Sequence, residues 1–376
     1  MKVRIDQAPV FCLFGFALVV GYLKAPTPPP ARFAAPQTVA RPTTSAGLQR
    51  ELLFAAAPSA HASSLTELSD GRIAAAWYAG AYEGAEGVRI WFSTKDGMGW
   101  TNPRVIADGV TTIAATRIGA RTLGNPIIHF QSRRLHLWYV SVAFGGWSVS
   151  SINHSVSDDL GETWSAPRKL VTSPFFNIST LVRARPVALE GDEIGLPVYH
   201  ELAAKRAEWL RLDSEGRVLG KVRIPSERAA LQPAVAPIDA TRAIALMRAS
   251  AGRLIVANTD DGGASWNPAA SLDIENHDTS VAVLRLASGR LLLAANPGRG
   301  RAILQLFVSP DHGHTWHSAK IIEQDTTGAL EYSYPSLLQT RDGQIHLSYT
   351  FRRQTIAHTT FDEAMLDEAL LDEAPQ

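Results

Sequence analysis

Cysteine is all but absent: Cys12 is the only one in 376 residues. That excludes an intrachain disulfide framework and a zinc site built from thiolates. Net charge is absent too, with 36 Lys+Arg against 36 Asp+Glu. A basic field of the kind that binds nucleic acid non-specifically is therefore not expected. Long hydrophobic runs are lacking apart from one, Ala8 to Leu23. What is present is an ordinary globular composition, 45% apolar and 19% charged, which argues against disorder. The length exceeds the roughly 250–300 residues at which a single core stops growing. Two domains or a repeat-built body are expected.

The ends separate from the body by composition. Lys2 and Arg4 precede the one apolar run, the pattern of a secretory signal or short signal anchor, so residues 1–24 predict export with a possible membrane tether. Residues 25–46 are Pro-rich and read as a spacer without core-forming periodicity. At the other end, residues 361–376 carry Asp-Glu-Ala three times, with Phe361, Met365, Leu366 and Leu370 at helical spacing, which predicts an acidic amphipathic helix docked on the body.

Between these ends, over residues 47–360, an apolar run, a polar turn and a second apolar run recur six times. The first apolar residues after the turns are Ile73, Leu135, Ile194, Ala243, Leu291 and Ile345. Six hairpins at nearly even spacing predict an all-β, six-bladed β-propeller of four-stranded antiparallel blades. Helical templates fit almost nowhere in this stretch.

A second motif falls later in the repeats. It reads Ser157-Asp158-Asp159-Leu160-Gly161-Glu162-Thr163-Trp164 and Ser309-Pro310-Asp311-His312-Gly313-His314-Thr315-Trp316, with a third copy from Thr259 to Trp266. Thr94 to Trp100 is one residue short, and Leu212 to Gly216 is a degenerate form. The Asp can accept backbone N–H groups, the Gly permits positive φ, and the Trp covers apolar surface. These are expected to be structural turn pins rather than calcium ligands, since the spacing does not resemble an EF-hand loop. No metal-ligand cluster or cofactor motif stands out.

In a propeller these turns share one face, so ligand chemistry is expected on the other, where the first strands begin and the second strands end. The first strands begin at His61, Asn125, Arg185 (with Arg183), Gln232, Asp278 and Tyr334, all polar ahead of apolar strands. The second strands end near Glu83 and Glu86, Tyr139, Tyr199 to Glu201, Arg248, Asn296 to Arg301, and Tyr349 with Arg352. Converging arginines match a carboxylate bidentately, which points to an anionic ligand such as an acidic sugar.

The Ser/Thr-x-Asp-x-Gly-x-Thr-Trp turns resemble the Asp-boxes of the sialidase (neuraminidase) superfamily, and the chain resembles its BNR-repeat branch over residues 55–360. The resemblance implies a sialidase-like glycoside hydrolase acting on sialic acid or a related acidic sugar, with a sialylated glycan as partner. Tyr334-Pro335-Ser336-Leu337…Asp342-Gly343-Gln344-Ile345 is similar to the family segment carrying the tyrosine nucleophile. By the same resemblance Arg248 and Arg301 clamp the carboxylate, with Arg185 as a further candidate. Three positions depart from the family pattern. His61 stands where a clamp arginine is expected, and Gln232 stands where the activating glutamate is expected. No aspartate matches the acid/base, for which Glu83 or Glu86 could serve, while Glu201 or Glu331 could replace the activator. The alternative is a non-catalytic propeller that binds an acidic glycan or a protein partner through the same face.

Overall fold

The computed structural model describes residues 8–23, 30–35, 47–172, 177, 179–202, 204–250 and 252–367. Its contacts divide into Met1–Pro30 and Ala31–Gln376. The first unit carries one helix, Ala8–Leu23. No described helix is long and apolar enough to cross a membrane.

The second unit is a six-bladed β-propeller. The inner strands are Ser59–Glu67, Thr122–Gln131, Thr180–Val182 with Val187–Ala188, Leu231–Pro237, Ala282–Arg285 and Tyr332–Gln339. Each pairs antiparallel with a second strand, and these begin within one residue of the six turn-following positions in the sequence. The ring closes through Gln49–Leu52, which adds to the final blade as its outermost strand, Gln49 opposite Thr360. The closure joins the two ends of the ring by backbone hydrogen bonds.

Six apolar clusters lie between successive blades. Side chains alternate across a strand, so Trp138 packs toward the third blade while Tyr139 packs toward the first. Blades covered on both faces need apolar residues on both, which explains continuous runs such as Ile73–Gly80.

The Asp-box turns are built as pins. Asp159 accepts from Ser157 Oγ at 2.7 Å and from the Thr163 N–H at 2.9 Å, and Trp164 Nε1 donates to the Gly161 carbonyl at 3.1 Å. The same three contacts recur around Asp311 at 2.9, 2.8 and 3.2 Å. In the degenerate copy Asp213 accepts from the backbone of Glu215 and Arg217.

The structure differs from the sequence reading in three places. Gly109–Thr116 is helical, started by a capping box in which Asp108 and Thr111 bond reciprocally. Part of the expected spacer belongs to the propeller: Phe33 is buried against Trp209, and its N–H donates to the Ala240 carbonyl. Burying that ring contributes about 2 kcal/mol relative to exposure. The strap runs so close to an Asp-box turn that a Cβ on Gly262 would lie 1.7 Å from the Ala31 carbonyl oxygen. Finally, Phe361 ends the strand Thr355–Phe361, and the expected helix starts only after it, at Met365. Met365 and Leu366 are buried after it, and Leu370 lies outside the described residues.

Candidate active site

The polar residues at the inner-strand starts sit on a repeated backbone device. Ala62, Asn125, Gln232, Asp278 and Tyr334 all have positive φ, between 45° and 58°. Register shifts at His61/Ser64, Gly124/Ile127, Leu231/Ala234 and Ser333/Ser336 mark bulges there. Three of these residues precede proline, which disfavours such a conformation further. Left-handed non-glycine residues cost of order 1–3 kcal/mol each and concentrate at functional sites. Here each bulge interrupts the strand where the channel opens.

Tyr334 occupies the centre of this front end. The guanidinium carbons of Arg183 and Arg301 lie 5.1 and 5.0 Å from its ring centroid, and the His61 ring is 4.4 Å away. Arg248 and Arg301 are both held above the ordinary arginine range against the opposing effect of burial, by Tyr334 and by carboxylates: Asp278 for Arg248, Glu331 for Arg301. Arg248 Nε donates to Asp278 at 2.8 Å and its Nη1 to Gln232 at 3.1 Å. Arg301 Nη1 donates to Glu331 at 2.8 Å. Tyr199 joins two further blades, its hydroxyl accepting from Asn125 at 3.2 Å and Gln232 at 3.3 Å.

The sequence-expected residues divide by position. His61, Asn125, Gln232, Asp278, Arg248, Arg301, Glu331 and Tyr334 are connected through the contacts above. Glu83 joins them, accepting from Tyr78 Oη at 3.2 Å and Arg353 Nη1 at 3.2 Å. Glu331 resists the upward push of burial and is held at about 2 by Ser333, Arg353 and Arg301. Glu201 is pushed up, chiefly by burial, and its carboxylate has no hydrogen bond among the described residues. Glu86 is exposed and outside the cluster.

Arg185 requires a correction. Arg183 and Arg185 lie between the strand segments Thr180–Val182 and Val187–Ala188, where the chain bends at Ala184 and the two side chains go to different places. Arg183 is the arginine at the front, its guanidinium donating to the carbonyls of Ser63, Tyr334 and Pro335. Arg185 lines a cavity of about 600 Å³ at the turn end of the channel. Burial lowers Arg183 to about 10, and no carboxylate bonds to it. Arg353 was missed by sequence reasoning. It sits in the three-residue hairpin loop Arg352–Gln354, in which Arg352 and Arg353 have positive φ, and which carries it toward Glu331 and Glu83. A short polar turn between strong β segments was the signal that could have found it.

The front end thus brings four guanidiniums, of Arg183, Arg248, Arg301 and Arg353, against the carboxylates of Asp278, Glu331 and Glu83. Glu201 is a fourth carboxyl whose ionisation burial opposes. Such a site can hold an anion, and a phenol lies at its centre.

A family model described as a BNR repeat-like domain matches residues 71–347. No curated protein sequence matches significantly. Among solved structures, the NanB sialidase of Streptococcus pneumoniae is similar at 13% identity and TM-score 0.68, over 84% of this chain and 71% of that one. The intramolecular trans-sialidase of Ruminococcus gnavus, solved with oseltamivir carboxylate, aligns at 14% identity and TM-score 0.65, over 86% of this chain and 99% of that one. The Trypanosoma rangeli sialidase aligns at 13% identity and TM-score 0.69, over 86% of this chain and 61% of that one. At these identities the likeness is one of fold.

Proposed function

The chain belongs to the BNR repeat-like domain family, and from that premise we propose that it is a sialidase-like glycoside hydrolase acting on an acidic sugar. The observation that carries the reading is Tyr334 set among Arg183, Arg248 and Arg301 at the bulged end of the channel. In this proposal the sugar carboxylate takes bidentate hydrogen bonds from Arg248 and Arg301. Their existing partners, Asp278, Gln232 and Glu331, keep the two forks oriented. The similar Ruminococcus gnavus protein was solved with a carboxylate ligand, which is consistent with such a clamp.

Tyr334 Oη then attacks the anomeric carbon, and guanidiniums on its flanks favour the charge its oxygen acquires. The bond to the departing aglycone breaks as the aglycone oxygen takes a proton. Glu201 suits that donor role because burial favours its protonated form. Water subsequently displaces the sugar from the tyrosine oxygen, giving its proton to Glu201. Glu331 is less suited to be the base, because Arg301, Arg353 and Ser333 occupy its carboxylate. In this proposal the Tyr334 proton passes to the neutral His61 ring, which is lowered to about 3 chiefly by burial, packs on Tyr334 and has both nitrogens without a hydrogen-bond partner. It returns to the tyrosine oxygen when water displaces the sugar.

The alternative, a propeller that binds an acidic glycan without turnover, draws support from Gln232, which replaces an activating carboxylate with an amide. An aryl sialoside assay separates the two. Turnover that disappears in Tyr334→Phe while sialic acid still binds supports the hydrolase. Inactivity toward sialosides and related 2-keto sugar acids, with binding intact, overturns it. Export through residues 1–24 belongs to the same proposal and predicts that a reporter fused after Gln376 is found outside the cytoplasm.

A further inference from the structure

The turn-end cavity has a charge pattern of its own. Three carboxylates line it, and each already holds an arginine: Glu67 with Arg341 at 2.9 Å, Asp239 with Arg242 at 2.6 Å, and Glu190 with Arg32 at 3.3 Å. Two more arginines, Arg185 and Arg285, line the same cavity. Neither forms a hydrogen bond or ion pair among the described residues, and the Nε of each is buried without a partner. Burial lowers Arg185 only to about 10, so it remains a cation at neutral pH. Glu67, which also holds Arg341, is the one carboxylate whose charge acts on Arg185. Two part-buried guanidiniums with no hydrogen bond of their own therefore face one cavity, and a ligand oxyanion would give both a partner.

Geometry strengthens the argument. The cavity of about 600 Å³ is in the range of small-molecule sites. His129, also lining it, bonds through Nε2 to Gln131 and leaves Nδ1 buried without a partner. Because Gln131 donates its amide nitrogen to the Glu193 carbonyl, its oxygen faces His129, which puts the proton on Nε2 and leaves Nδ1 an acceptor. The Phe33 strap forms part of the cavity wall.

We propose that this turn-end cavity is a second ligand site, separate from the Tyr334 cluster, which binds a carboxylate or phosphate group through Arg185 and Arg285. A ligand hydroxyl suits the His129 Nδ1 acceptor. Two sources can supply the oxyanion: a free small molecule, or the acidic end of this chain. Glu363 accepts a hydrogen bond from Gln339, a lining residue, and Arg290 bonds both Glu363 and Asp367, which holds Asp367 near the cavity's rim; the sequence after Asp367 carries the acidic residues Glu368, Asp372 and Glu373. Residues 36–46, which follow the strap, contain no Asp or Glu.

The test is calorimetric titration of citrate and of inorganic phosphate into the full chain, carried out in an Arg248→Ala background to weaken the front end. Binding at one site that falls at least about 10-fold in both Arg185→Gln and Arg285→Gln supports the proposal. Binding that appears only after Glu368→Gln, Asp372→Asn and Glu373→Gln supports it with the tail as the native occupant. Binding unchanged by the arginine substitutions overturns it, as does none in either form of the chain. A second readout needs no ligand. It is measured in the chain carrying Glu368→Gln, Asp372→Asn and Glu373→Gln, which removes the tail as an occupant. There the double Arg185→Gln, Arg285→Gln variant should melt no lower than its parent, because it removes two guanidiniums without hydrogen-bond partners; a clear fall in Tm would make them structural and overturn the site. Either result leaves the Tyr334 reading untouched, which is tested by turnover.

Discussion

The two ends of the central channel use the same residue type in opposite ways. At the front, Arg248, Arg301 and Arg353 are tied to Asp278, Glu331 and Glu83, and even Arg183 is held by three backbone carbonyls. At the turn end, Arg341 is paired while Arg185 and Arg285 make no hydrogen bond or ion pair among the described residues. A guanidinium with a partner is oriented before any ligand arrives, which suits chemistry that depends on exact placement. A guanidinium without one gains more from a ligand's charge, which suits binding. The lesson is that counting arginines around a channel says little until their partners are known.

The comparison breaks most visibly at Tyr334. Tyr334→Phe should lower aryl sialoside turnover by about 10³-fold or more while sialic acid affinity changes less than about 3-fold, measured by rate assay and calorimetry. Loss of affinity in step with turnover would place the phenol in binding rather than catalysis. Next in size, Glu331→Gln should destabilise the fold by about 2 kcal/mol in urea unfolding, since part-buried Arg301 loses its one carboxylate partner while half-exposed Arg353 keeps Glu83. A smaller change would mean that water already screens the front network.

The buried histidines give a graded test. His61 at the front and His129 at the turn end are lowered by burial to about 3 and about 4. Their folded-state values lie below the unfolded value near 6.5, so the unfolded chain takes up protons first. The stability they contribute is complete above that pH and falls as pH drops toward 4, by about 1.4 kcal/mol per pH unit per histidine. His129→Phe should remove one such increment between pH 6 and 4 in denaturant titrations, and His61→Phe another that continues toward pH 3. The smallest effect is expected for Arg341→Gln, which loses a half-exposed pair with Glu67 and should cost less than about 1 kcal/mol in the same titrations.

Much of this architecture was legible in the residues. The hairpin repeat marks every second strand within one residue, because alternating faces packed between blades demand apolar runs of fixed length. The Asp-box turns were equally readable, since each of their hydrogen bonds is local. Of the polar residues at the inner-strand starts, His61, Asn125, Gln232, Asp278 and Tyr334 fall at the front end while Arg185 lines the other, and nothing in the sequence announced the bulges there. Arg353 escaped because its role depends on a turn conformation. Phe33 escaped because its partner, Trp209, is distant in sequence.

The sequence by itself determined the repeat, the blade count and the residue types at the channel, for these follow from periodicity and local turn chemistry. Only the tertiary structure decided which arginine meets which carboxylate. Arg183 and Arg185 lie two residues apart, yet one stacks on Tyr334 and the other lines the opposite end. The physical reason is that ion pairing depends on distances of a few ångströms between blades far apart in the chain, and only closure of the ring sets those distances.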